Sequence, residues 1–127
     1  MIVITGASSG LGAALAKQYD KQDARIHLTG RSEQKLLHVT SQLSFNTTYQ
    51  ACDLANHNDV ESLFEQLDEV PDKIIHCAGS GYFGLLEEQN PEQIEALIKN
   101  NLSSAINVVR ESVKRYKAQP VTLVMIM

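Results

Sequence analysis

Only two cysteines, Cys52 and Cys77, occur in the 127 residues. Without a Cys-x-x-Cys pair or a His/Cys cluster, they exclude a disulfide framework and give no basis for a zinc site. Both lie in or beside apolar runs and read as small buried residues. Positive charge is not in excess: 11 basic side chains stand against 15 acidic ones, a formal net charge of −4. Nucleic acid and anionic membrane demand a basic surface, so neither is expected as the main partner. No apolar run approaches the roughly 20 residues of a membrane-spanning helix. The opening segment Met1-Ile2-Val3-Ile4-Thr5-Gly6 lacks the basic residues and long apolar stretch of a secretory signal, so the cytoplasm is the expected location. Repeats, linkers and low-complexity stretches are also missing. The composition that remains, 43% apolar and 20% charged, describes one folded domain over residues 1–127.

Apolar runs alternate with helical patterns along the chain. Ile2-Val3-Ile4 reads as a buried strand, short and β-branched. Leu11, Ala14, Leu15, Gln18 and Tyr19 then recur at helical spacing and predict one largely apolar face. Arg25 to Thr29 is a second strand, and Ser32 caps a helix carrying Leu36, Val39 and Leu43. A weaker strand covers Thr47 to Cys52. Asn58 and Glu61 suggest a capping box for a helix with Val60, Leu63, Phe64 and Leu67 on one side. Lys73 to Cys77 is the fourth strand. Asn90, Pro91 and Gln93 give the clearest helix start, and that helix is expected to run from Pro91 to about Lys117. Its stripe of Ile94, Leu97, Ile98, Leu102, Ala105, Val108 and Val109, widened by Ile106 and Val113, suggests contact beyond a sheet face. Val121 to Met127 is a fifth, apolar strand. Strands and helices in this alternation form right-handed crossovers and a parallel sheet covered on both faces. The expected fold is α/β, a doubly wound Rossmann-like sheet of five strands in order 3-2-1-4-5 with flanking helices.

The most informative segment is Thr5-Gly6-Ala7-Ser8-Ser9-Gly10-Leu11-Gly12, which leaves the first strand and opens the first helix. A helix N-terminus offers unpaired amides and about half a positive charge, which suits a pyrophosphate. Gly6 permits a tight turn, Gly10 lets phosphate oxygens reach its amide, and Gly12 allows close helix–strand packing. Ser8 and Ser9 add hydroxyl donors. At the end of the second strand an acidic side chain would bind a ribose hydroxyl. Thr29-Gly30-Arg31-Ser32 stands there instead. The Arg31 guanidinium suits a 2′-phosphate, so NADP is favoured over NAD.

These residues resemble the short-chain dehydrogenase/reductase family, in its single-domain branch. Gly6 to Gly12 with Thr5 looks like its Thr-Gly-x-x-x-Gly-x-Gly motif, and Thr29-Gly30-Arg31 like its NADP-preferring version. The resemblance implies that Asp53, followed by Leu54, meets the adenine ring, and that Ala78 and Gly79 lie along the cofactor. Cys77-Ala78-Gly79 matches the end of the family's Asn-Asn-Ala-Gly motif, but His76 and Cys77 replace the two asparagines. The second of these normally braces the sheet, which Cys77 does only weakly. His76 sits inside an apolar strand and reads as a satisfied core histidine, not a catalytic base. Gly84 to Glu87 also fits the family, and so does Asn101-Leu102. Asn101 resembles the active-site Asn that helps hold a water in a proton relay.

The resemblance covers the first half of the family's pattern. The catalytic Ser and Tyr-x-x-x-Lys pair would come later. None of the four tyrosines supplies that pair: Tyr19, Tyr49, Tyr82 and Tyr116 are followed four positions on by Asp23, Asp53, Leu86 and Pro120. The implied activity is NADPH-dependent hydride transfer to a small-molecule carbonyl, or the reverse alcohol oxidation. The 127 residues are expected to be its cofactor-binding half, inactive alone. The family also implies a homo-oligomer through the helix 91–117. A non-catalytic NADP-binding or redox-sensing protein is the alternative. A methyltransferase fits poorly because Arg31 stands near the expected acidic residue. A P-loop NTPase fits worse, since Leu11, Gly12 and Ala13 replace its Gly-Lys-Ser/Thr.

Overall fold

Five short strands are joined in the order β3-β2-β1-β4-β5. They are β1 (Ile2–Thr5), β2 (Ile26–Gly30), β3 (Thr47–Ala51), β4 (Lys73–His76) and β5 (Thr122–Met125). The computed structural model describes residues 1–126. Every pairing is parallel, with Thr5 opposite Thr29 on β2 and His76 on β4. The expected order 3-2-1-4-5 is therefore the observed one. The fifth strand is shorter than Val121 to Met127, and Met127 lies outside the described residues.

Helices cover both faces. They are α1 (Gly10–Asp20), α2 (Glu33–Thr40), α3 (His57–Glu65), α4 (Pro91–Leu97) and α5 (Ser104–Tyr116). Ile4, Ala7, Ala16, Ile26, Leu28, Leu36 and Val39 pack one face. Val3, Leu54, Val60, Leu63, Phe64, Ile74 and Val108 pack the other. Burying one such aliphatic side chain is worth about 1.5–3 kcal/mol. No helix among the described residues is long and apolar enough to cross a membrane.

Three local expectations need correction. The inward face of α1 is Gly12, Ala13 and Ala16, with Leu15 and Tyr19 half-buried, whereas Leu11, Ala14 and Gln18 are exposed. Close approach decides this. A Cβ on Gly12 would stand 2.4 Å from the Gly6 carbonyl oxygen, so only small residues fit against the turn. At α3 the cap is Asn56, whose side chain accepts from the amides of Asn58 and Asp59. Glu61 reaches Lys114 instead of closing a box.

The third correction concerns the helix from Pro91. Its Asn90–Gln93 capping box is present, but the run is interrupted by a π-helical stretch, Ile98–Ser103. The Asn101 side chain donates to the Leu97 carbonyl at 2.9 Å, and the Ser104 hydroxyl to the Asn100 carbonyl at 2.7 Å. Side-chain donors thus occupy carbonyls that the helical ladder would use, and the turn widens.

Candidate functional site

The strand order reverses beside β1: β2 and β3 follow on one side, β4 and β5 on the other. Loops leaving β1 and β4 part there and open a crevice at the carboxyl ends of the strands, where open α/β sheets place ligands. A cavity of about 400 Å³ fills it. Gly6, Ser8, Ser9, Gly10, Leu11 and Gly12 form its floor. Arg31 stands at one rim, Asp53 and Leu54 follow β3, and Ala78 and Gly79 follow β4.

The floor is an exposed amide end. Ser32, Asn56 and Asn90 cap α2, α3 and α4 with side-chain hydrogen bonds. Ser9, the corresponding residue of α1, makes none, and the first turn of α1 carries no acidic residue. A helix start left uncapped keeps its partial positive charge and free N–H groups for a ligand. Gly6 and Gly10 have positive φ, +65° and +57°. At Gly6 the chain needs closeness, because a Cβ would lie 2.7 Å from the Ala78 nitrogen. At Gly10 it needs nothing from the fold, since a Cβ there would meet no atom within 4 Å.

Asp53 Oδ1 accepts from the Ala55 amide at 3.0 Å, and the Asp53 amide donates to Asp59. That turn holds the residue at the cavity edge. Leu54 is buried behind it, its carbonyl accepting from Asn107 at 2.9 Å. Burial pushes the Cys52 thiol up to about 12, helped by the Asp59 and Asp53 charges and opposed by a hydrogen bond with Thr29. Burial also raises Cys77.

Thr5 and Asn101 do not line the cavity; they brace it from beneath. Thr5 Oγ1 accepts from the Cys77 and Ala78 amides at 3.2 and 3.3 Å. Asn101 Oδ1 accepts from the Ser80 amide at 3.2 Å, while its Nδ2 donates to the Ser80 and Leu97 carbonyls, each at 2.9 Å. Both amide protons are spent, so the side chain keeps only spare acceptor capacity on Oδ1 for a water. A Cβ on Gly79 would stand 2.6 Å from that oxygen, so the glycine is required by the clamp. His76 is only half satisfied: Nδ1 lies 2.9 Å from Thr5 Oγ1, but Nε2 has no partner among the described residues. Burial lowers its pKa.

Sequence reasoning missed Lys35, Asn100 and Ser104, which also line the cavity. Lys35 had a legible signal: it stands three positions beyond the cap Ser32, in the first turn of α2, beside Arg31. Asn100 and Ser104 reach the cavity from the π-helical stretch and the start of α5, which no sequence pattern marked. Among the described residues no group of three or more His, Cys, Asp or Glu is placed to hold a metal.

The sequence profile of the family described as short chain dehydrogenase matches residues 1–126. The chain is 67% identical to a short-chain dehydrogenase/reductase from Vibrio parahaemolyticus, whose crystal structure matches with a TM-score of 0.97 over 100% of this chain and 60% of that one. It is 30% identical over 123 residues to a PIGF/3-ketodihydrosphingosine reductase fusion protein of Schizosaccharomyces pombe, 91% of this chain and 25% of that protein. It is 30% identical over 113 residues to a 3-oxoacyl-acyl-carrier-protein reductase of Rickettsia bellii, 89% of this chain and 46% of that protein. The chain thus spans a quarter to about half the length of these curated relatives.

Proposed function

The chain belongs to the short-chain dehydrogenase family, and we propose that it forms the NADP-binding part of an oxidoreductase acting on a small-molecule carbonyl or alcohol. One observation carries the reading: the uncapped amide end of α1 opens on the same cavity as Arg31 and Lys35. The first suits a diphosphate, the second pair a further phosphate. The amides of Gly10, Leu11 and Gly12 would hold the diphosphate, with Ser8 and Ser9 beside them. Asp53 and Leu54 would border the adenine, and Ala78 and Gly79 the remainder of the dinucleotide. Bound there, NADP(H) supplies or accepts the hydride. Asn101 keeps the Ser80 segment and the widened helix in register beside that end of the cleft.

A redox-sensing role exercised through a cysteine, as distinct from one exercised through bound NADP(H), would require a reactive thiolate. The Cys52 thiol is pushed up to about 12, and Cys77 also upward, so both stay protonated near neutral pH. The cleft therefore favours dinucleotide binding over thiol chemistry. Ile98, Leu102, Ile106 and Val113 are each at least half exposed on one helical run. A contiguous apolar face of this kind marks a contact surface, and a second copy of the chain is its proposed occupant.

Parallel titrations of NADPH and NADH test the cofactor reading. Arg31→Ala should weaken NADPH by roughly tenfold or more, the range for a hydrogen bond to a charged group. Lys35 and solvent at the exposed rim keep the effect near the lower end. NADH should change little. Equal losses for the two nucleotides would remove the phosphate role of Arg31.

A further inference from the structure

His76 ends β4 where the chain turns into the cleft, and its ring is buried against Thr5, its register partner on β1. Three groups surround the Thr5 hydroxyl: the amides of Cys77 and Ala78, at 3.2 and 3.3 Å, and His76 Nδ1, at 2.9 Å. The amides can only donate: that of Ala78 takes one lone pair of Oγ1, and that of Cys77, shared with the Thr5 carbonyl at 3.3 Å, faces the other. The single hydroxyl proton is left for Nδ1, which must be a bare acceptor. A neutral ring then carries its own proton on Nε2, the nitrogen without a partner among the described residues. A buried donor left unpaired is costly, so simple core filling does not account for histidine here.

We propose that His76 is a positioning residue of the cofactor cleft. By accepting the hydrogen bond of the Thr5 hydroxyl it keeps the lone pairs of Oγ1 turned toward the Cys77 and Ala78 amides. This ties the strip Cys77–Gly79 to β1. The strip is in turn pressed on the glycine loop, since Gly6 has room for no side chain against Ala78. Displacing Ala78 would thus shift both walls of the cleft. The Cys77 side chain, in the position where the family's bracing asparagine is expected, packs with the core on the α1 side. The Thr5–His76 pair supplies a polar tie in its place. The inference rests on the cofactor reading for its consequence, though not for its geometry.

Long-range proton–nitrogen spectra of the His76 ring, recorded on the labelled chain at pH 7.5, read the tautomer directly. A bare Nδ1 and a protonated Nε2 are expected; the opposite tautomer overturns the proposal. NADPH titrations supply the second arm. His76→Leu removes the acceptor and should weaken binding about five- to tenfold. His76→Asn places Oδ1 where the imidazole has Nδ1, and should stay within about threefold of the parent. Equal losses in the two variants overturn the proposal. Should His76→Leu fail to fold, a loss of tenfold or more in His76→Asn overturns it equally. If the parent chain does not bind NADPH, the cofactor reading falls, and the ring spectrum still judges the Thr5–His76 bond.

Discussion

Replacing Gly10 with alanine separates the ligand role of the glycine loop from its role in folding. The residue has φ +57°, and a Cβ built there meets nothing within 4 Å. The cost to the unliganded fold is therefore the left-handed backbone alone, about 1–2 kcal/mol for a residue with a side chain. In a domain of this size that lowers the Tm by roughly 4–8 °C. The new methyl would stand in the open crevice, where the diphosphate must approach the Gly10 amide. Losing one charge-assisted hydrogen bond there forfeits about 1.5–3 kcal/mol, or roughly ten- to 150-fold in Kd. Gly12→Ala is the contrasting variant. Its Cβ would stand 2.4 Å from the Gly6 carbonyl oxygen and 2.8 Å from its carbon, backbone atoms with little freedom to move. Overpacking of that kind costs about 1–3 kcal/mol or more, so this change should damage the fold itself. Thermal melts without ligand, followed by NADPH fluorescence titration of the folded variants, distinguish the two. A Gly10→Ala chain that melts within the expected range and binds NADPH within twofold of the parent would refute the reasoning.

Acid should destabilise the chain well before its carboxylates titrate. Burial holds both His27 and His76 below the ordinary 6.5. The unfolded state therefore binds more protons once the pH falls below about 6.5, and stability is lost from there down toward the folded-state values. Melts should be nearly level between pH 8 and 7 and decline toward pH 5; a Tm that rises on acidification through this window contradicts the burial argument. The Asp68 and Asp72 carboxyls, lowered from 3.8 by Arg25 and the N-terminal amine, act only below that window. On the outer helical face, Ile106→Glu should shift the chain to smaller particles by light scattering, because a charge on a contact surface opposes association. A parent chain that is already monomeric at micromolar concentration would remove that surface's proposed role.

The sheet order was readable because strand and helix patterns alternate strictly, and parallel crossovers leave few solutions. The cleft floor was readable for the same reason, since the glycine triplet falls between a strand and a helix. The buried face of α1 was not. Apolar periodicity weights Leu11 above Gly12, yet contact with the Gly6 turn admits only small residues, and Leu11 was turned outward. The interruption at Ile98–Ser103 was equally hidden, because it follows from Asn101 reaching both Leu97 and Ser80, and the second contact is tertiary. The same clamp placed Asn100, not Asn101, on the cavity wall. The cap of α3 was not legible because Asn56 and Asn58 lie only two positions apart, within the usual uncertainty of a helix boundary.

A crystal structure of the chain grown with NADP+ tests the central claim most directly. Diphosphate oxygens should lie about 3 Å from the amides of Gly10, Leu11 and Gly12, with the third phosphate beside Arg31 and Lys35. A nucleotide bound elsewhere, leaving the first turn of α1 facing only solvent, would contradict it.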